Sequence, residues 1–547
     1  MSNIDWIILW ATLLGIIVYG VYKSRTTKNL EGYFLSNRSL PWYLVLLSIM
    51  GTQASAITFL SAPGQAYSDG MRFVQYYFGL PIAMIVISIF FVPVFSKLKV
   101  YTAYEFLEER FDLKTRSLTS FLFLLSRGLS TGISIFAPSL VLSALLGWNI
   151  YYTNVVMGGL LIIYTMSGGA KAVAHTQKLQ MIIIFVALIM VAYLALKLLP
   201  ADIQMGEAFR ATNKMNIISS GFNEKGFDWK DKYNIWSGLI GGFFLALSYF
   251  GTDHSQVGRY LTAKNETESK KGLLTNGLVK VPMQFFILLL GVLIFIFYSY
   301  HKPPVYFNQT IIAAAKQTPY HDSLIVLENK FNGSFAANDK AASNTYRLEY
   351  KNMLQKALPG QDLNDNNYIF LHFVKDKMPV GLVGLIIAML FLASWGSIAA
   401  ALNSLAACTV VDFHKRFTKK QSTQKNDFIL SQWYTLAWGM FCIVIAMFAY
   451  NIGNSLIEAV NIIGSLFYGV ILGIFLSAFW IKYIKATAVF SAAIIGELII
   501  ILIYKIDIVS FLWLNVIGAL LVIVLALFLQ AMINMRSVKK ESGEMKI

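Results

Sequence analysis

Cysteine and histidine are scarce in this chain. Its two cysteines, Cys408 and Cys442, lie in or beside apolar segments, and its six histidines show no metal-ligand spacing, so neither a disulfide framework nor a metal enzyme is indicated. No nucleophile and base share one membrane depth either, which argues against an integral membrane enzyme. Charge is also sparse: charged residues make up 14% of the 547 positions and hydrophobic ones 56%, far from the balance of a soluble domain. The start, MSNIDWIILWATLLGIIVYGVYKSR, lacks a basic region before its apolar run and a small-residue cleavage site after it. It reads as a retained first helix with its N-terminus outside, not as a cleaved signal peptide.

What is present is a series of apolar runs about twenty residues long. Thirteen candidate spans fall at about 4–22, 42–66, 76–96, 117–146, 150–168, 178–199, 233–252, 274–298, 378–411, 431–450, 457–481, 486–504 and 508–532. The expected fold is an all-α polytopic membrane protein. A formal charge of +16 would point to nucleic acid in a soluble chain, but here most Lys and Arg sit in short connectors between apolar runs. The connectors 23–41, 97–116, 169–179, 253–273 and 412–430 and the RSVKK tail then share one side. That places the C-terminus in the cytoplasm of a multi-pass protein of the cell inner (plasma) membrane, with lipid as surroundings and no nucleic acid or obligate protein partner. Two longer connectors, 200–232 and 299–377, lie outside, the second as a polar, partly helical excursion with no role in chemistry.

Three regions break the apolar pattern. LSIMGTQASAITFLSAPGQAYSDG, at 47–70, carries helix breakers and hydroxyls inside a span. Pro63 removes a backbone donor and Gly51 lets the backbone open, so released carbonyls can hold a desolvated cation; a packing kink is the other reading. LFLASWGSIAAALNSLAACTVVDFHKRF puts Ala393 and Gly396 near Ser397, with Asn403 farther along. Carbonyl and hydroxyl oxygens without a carboxylate suit a weakly held monovalent ion. In LALSYFGTDHSQVGRYLTAKNETESKKGLLTNGLVKVPMQF, Tyr249 can close a cavity, Asp253 and Arg259 lie near the cytoplasmic end of a helix, and Lys280 sits among apolar neighbours. Such a lysine needs a partner, a water path or a snorkelling route.

GTQASAITFLSAPGQAY, GGAKAVAHTQKLQ, TDHSQVGRYLTAKN and LNSLAACTVVDFHKRF together resemble the sodium:solute symporter family in consistent order over about residues 5–480. The resemblance implies a core of five plus five inverted helices with two discontinuous ones, worked by alternating access. The repeats would be 42–199 and 233–481, flanked by a first helix and connector at 1–41, peripheral helices at 482–532 and a tail at 533–547. It implies no cofactor, with Na+ as the coupling ion held by oxygens near Gly51, Ala54, Ala393 and Ser397. Gly396 stands where the family often has a second hydroxyl, and Gln177 where many relatives carry the aspartate of a second sodium site, which favours one sodium per solute. Tyr249 matches the aromatic gate of the sugar carriers and Lys280 a sugar-contacting lysine. Positions that hold sugar hydroxyls appear as Thr58 and Ala246. The wording SAITFLSAPGQAY looks nearer the monocarboxylate, iodide and multivitamin branch, where Lys280 would face a carboxylate. IEAVNIIGSLFYG adds Asn461 as a pocket residue, with Glu458 marking a helix end.

The resulting expectation is a sodium-coupled symporter of a small organic solute, a carboxylate or alternatively a sugar or polyol. A transporter-like sensor would need a signalling module, and a channel would need a filter repeat.

Overall fold

The computed structural model describes residues 1–24, 30–200, 204–418, 424–449 and 455–544. Apart from one short hairpin, Phe222–Asn223 against Gly226–Phe227, and an isolated bridge between Leu40 and Ala263, the described secondary structure is helical. The elements that matter for the site are α1 (Asn3–Ser24), α2 (Trp42–Gln53), α3 (Ala56–Asp69), α4 (Leu113–Leu146), α5 (Ile150–Lys197), α6 (Gly242–Gly251), α7 (His254–Tyr260), α8 (Glu266–Tyr300), α9 (Asn366–Lys377), α10 (Leu382–Cys408), α11 (Gln424–Phe448), α12 (Leu456–Trp480), α13 (Ala486–Ile506) and α14 (Phe511–Glu544).

Ten helical segments among the described residues are long and apolar enough to cross a membrane, not the thirteen expected. The difference has a physical cause. Trp42–Gln53, Ile150–Met166 and Ser237–Gly251 are apolar but shorter, below the roughly twenty residues that a straight crossing takes. α5 shows why runs and helices differ. Residues twelve apart on a straight helix are separated by about 18 Å of rise, yet the Tyr164 and Thr176 hydroxyls lie 2.7 Å apart. α5 is therefore sharply bent between those two residues.

The break in the second apolar run lies at Ala54 (φ −77°, ψ 95°) and Ser55 (φ −107°, ψ 170°), both extended, between α2 and α3. This corrects the expectation that Gly51 and Pro63 open the chain. Gly51 stays helical, and its missing side chain serves close packing: a methyl there would come within 2.9 Å of Gln177 Cγ. Pro63 lies inside α3, whose carbonyl at that point is approached so closely by Gly291 of α8 that a methyl would sit 2.1 Å from it.

α10 is the central helix, with 94% of its apolar window buried, whereas α13 and α14 bury about a third of theirs. Its start is pinned by α1: the buried Asp5 carboxylate accepts from the Gly381 and Gly384 amides at 2.7 and 3.2 Å, satisfying donors that a helix N-terminus leaves open. On the other face of the fold, Asn515 of α14 donates to Ser465 of α12 at 2.9 Å.

The 299–377 excursion is a folded unit. Gln309–Ala315, His321–Ala336 and Lys340–Ala357 are helices that share a small core of Tyr306, Leu324, Phe331, Tyr350 and Leu354. α9 then docks on α3, where a methyl on Gly64 would fall 1.9 Å from the Asn366 carbonyl oxygen. Ser68 donates to Asn366 Oδ1 at 2.7 Å.

Candidate functional site

A cavity of about 1050 Å³, mouth included, opens between the α2–α3 break, α4, α6, α8, α10 and α12. Thr58, Tyr249, Lys280, Asn461 and Ser397 all line it. Gly51, Ala54 and Ala393 do not; they are buried beside it on α2, at the break and on α10.

The break is capped from outside its own chain segment. The Ala56 amide at the start of α3 donates to Ser394 Oγ of α10 at 3.3 Å, and Ser397 donates to the Ser394 carbonyl at 3.1 Å. Ser397 Oγ therefore keeps lone pairs directed elsewhere. Gln53, the last residue of α2, lines the cavity with its buried Oε1 unpartnered. These neutral oxygens around an opened helix suit a monovalent cation. The carboxamide of Gln177 fills the neighbouring space: Nε2 donates to the Gly396 carbonyl at 3.1 Å and to Thr52 Oγ1 at 3.3 Å, and Ser48 donates to its Oε1 at 2.8 Å. Gly396 cannot carry a side chain without movement, since a methyl there would lie 2.5 Å from Gln180 Oε1.

The polar groups at the cavity fall into two sets, one at each end. Toward the end covered by the excursion, Asn461 Oδ1 accepts from the Tyr76 hydroxyl at 3.1 Å while its Nδ2 has no partner. Beside it Glu458 is paired with Lys232, so it locks a connector to α12 in addition to marking a helix end. The opposite end is closed by a buried polar floor. Arg127 of α4 is paired with Asp253, its Nη2 donates to Tyr468 at 2.8 Å, and Tyr468 donates to Asp253 at 2.8 Å. Arg127 also stacks 5.3 Å from the Tyr249 ring centroid, and Gln256 donates to the Tyr249 hydroxyl at 2.7 Å. Tyr249 is thus part of the floor. Thr58 reaches only the Gln53 carbonyl, at 3.4 Å.

Lys280 is the exception in this polar lining. It is 2% exposed, its Nζ lies 5.9 Å from the Tyr77 ring, and no carboxylate among the described residues neutralises it. Arg127, Tyr76, Tyr77, Gln53, Tyr468 and Ser394 were not singled out from the sequence. For Arg127 the signal was present, as an arginine inside the apolar stretch FLFLLSRGLSTG, because charge within a span marks function by default.

An interrupted helix facing a second helix across unpaired oxygens, next to a cavity with polar groups at both ends, agrees with the family match over residues 33–336 and 345–496. The chain belongs to the sodium:solute symporter family. Among its relatives, the sodium/sialic acid symporter NanT of Aliivibrio fischeri is 26% identical over 96% of this chain and 92% of its own length. The sodium-coupled monocarboxylate transporter 1 of Xenopus laevis is also 26% identical, over 86% of this chain and 67% of its own length. Such equal identities single out no branch of the family. A solved structure of the substrate-bound outward-open state of a Na+-coupled sialic acid symporter superposes with a TM-score of 0.78 at 22% identity, over 97% of this chain and 98% of that one. This symporter is accordingly a multi-pass, all-α membrane transporter with inverted-repeat-like packing, and it carries out sodium-coupled secondary transport of a small organic solute.

Proposed function

We propose that the solute is an organic anion of sialic-acid type, a carboxylate bearing hydroxyl or amide groups, and that Lys280 receives its carboxylate. The observation that carries this reading is the uncompensated Lys280 in the cavity wall, beside an Arg127 already committed to Asp253. A buried lone ammonium is costly, and a solute carboxylate offsets that cost. Thr58, Gln53 and the free Nδ2 of Asn461 are placed for hydroxyls and amides, and Tyr249 and Tyr77 for the carbon face of a ring. The sugar or polyol reading draws on the same groups but leaves Lys280 unpaired.

The sodium ion is assigned to the α2–α3 break, between the backbone near Gly51 and Ala54 and α10 at Ala393 and Ser397. Gln177 supports a single sodium: its amide hydrogens occupy the Gly396 and Thr52 oxygens that a second cation would seek. The repeats are assigned to 42–199 and 233–481, and the excursion end is assigned to the outside, with the C-terminus cytoplasmic. Sodium bridging the break and α10 then orders the cavity for solute, and binding of both favours closure.

The test is uptake of labelled N-acetylneuraminate, lactate and glucose into proteoliposomes under an inward sodium gradient. Sodium-dependent uptake of a carboxylate but not of glucose is expected, and Lys280→Gln should raise the carboxylate KM at least ~10-fold, the scale of one charge-assisted hydrogen bond. Glucose uptake by the wild type, or an unaltered carboxylate KM in Lys280→Gln, would refute the assignment.

A further inference from the structure

The helix capped by the floor residue Asp253 carries a second buried cation with no counter-ion among the described residues. Arg259 is 1% exposed, its Nε and Nη1 find no hydrogen-bond partner, and no carboxylate among the described residues compensates it. It sits near the end of α7, whose N-cap is the floor residue Asp253. Arg259 itself does not line the cavity, whereas Tyr249 and Arg127 of the floor do.

Arg259 has unsatisfied company. On α7 itself His254 Nδ1 and Gln256 Oε1 are buried and unpartnered, and so is Asn403 Oδ1 of α10, which packs against α7. Gln256 links the two levels, since its Nε2 donates to the Tyr249 hydroxyl in the floor while its Oε1 is left open. A run of buried polar groups without protein partners is expensive, and an unpaired guanidinium most of all. An apolar side chain of similar volume would pack α7 without that cost. A polar, negatively charged group reaching this junction would offset that cost.

We propose that Arg259 is a release-side subsite for the transported carboxylate. The inference rests on the anionic-solute reading above. A solute leaving Lys280 passes Asp253, whose charge is balanced by Arg127, and meets the guanidinium fork next. That fork matches a carboxylate through two parallel N–H bonds. Gln256 and Asn403 offer acceptors to the solute's hydroxyl or amide hydrogens.

The deciding experiment is thermal unfolding of the purified full chain titrated with N-acetylneuraminate or its methyl ester, in potassium or sodium buffer of equal ionic strength. In potassium the floor can open without sodium ordering the outer site. There the acid, not the ester, should stabilise the wild type, and Arg259→Gln should abolish the shift while retaining the response in sodium. Lys280→Gln should show the reverse. Should Arg259→Gln fail to fold, Arg259→Lys decides, with an apparent affinity in potassium about tenfold weaker expected from loss of the bidentate fork. No wild-type shift in potassium, an equal shift for the ester, or a wild-type titration in either Arg259 variant overturns the subsite. A potassium response that needs Arg259, alongside no response in sodium, would keep the subsite and sink the Lys280 reading instead.

Discussion

Ser397 and Ser394 stand one turn apart on α10 and divide the work at the break. Ser394 satisfies the Ala56 amide left open at the break, which leaves the Ser397 hydroxyl for the sodium ion proposed there. Ser397→Ala should therefore raise the sodium concentration for half-maximal uptake about tenfold, the scale of ~1.4 kcal/mol, with little change in protein yield. Ser394→Ala should instead lower thermal stability, because it orphans a buried amide. Sodium titrations of uptake alongside melting curves separate the two, and an unchanged sodium requirement in Ser397→Ala would remove it from the site.

At the scale of elements, the excursion is docked on α3, the second half of the interrupted helix. Gly64 of α3 touches the Asn366 carbonyl of α9 so closely that Gly64→Ala should destabilise by about 1–3 kcal/mol through overpacking, read as a lower Tm. The same docking carries a pH dependence. His372 of α9 meets the Tyr298 hydroxyl at 3.0 Å, and burial pushes its pKa below the usual histidine value, with Asp376 opposing the shift. Unfolded histidine takes up a proton near pH ~6.5 while folded His372 resists it, so this contribution is present above that pH and is lost as pH falls toward the folded pKa. Thermal stability should drop more below about pH 6.5 in the wild type than in His372→Gln, and parallel curves would exclude His372 as the cause.

For the whole molecule, charge balance makes stoichiometry measurable. One sodium carried with a monovalent carboxylate moves no net charge, whereas two would move one. An inside-negative potential of about 100 mV is worth ~2.3 kcal/mol per charge, roughly a 50-fold change in accumulation. Steady-state accumulation should therefore be indifferent to a potassium-diffusion potential at fixed sodium gradient. A strong dependence would mean that other oxygens have rebuilt a second sodium site despite Gln177.

Much of this was legible in the residues themselves. Apolar runs fixed a polytopic helical protein, because lipid admits no unpaired backbone; clustered Gly, Ser and Thr marked the interrupted and central helices; and a lysine at 280 announced itself by its neighbours. Only the tertiary structure decided where the chain breaks, since Ala54 and Ser55 are held open by Ser394, more than three hundred residues away. It also decided that Arg127 is spent on Asp253 while Lys280 and Arg259 are not, that Gln177 plugs the space beside Gly396, and that α5 is bent where its sequence runs on. Each of these depends on which distant side chains meet, and pairing across a fold leaves no trace in local composition or periodicity.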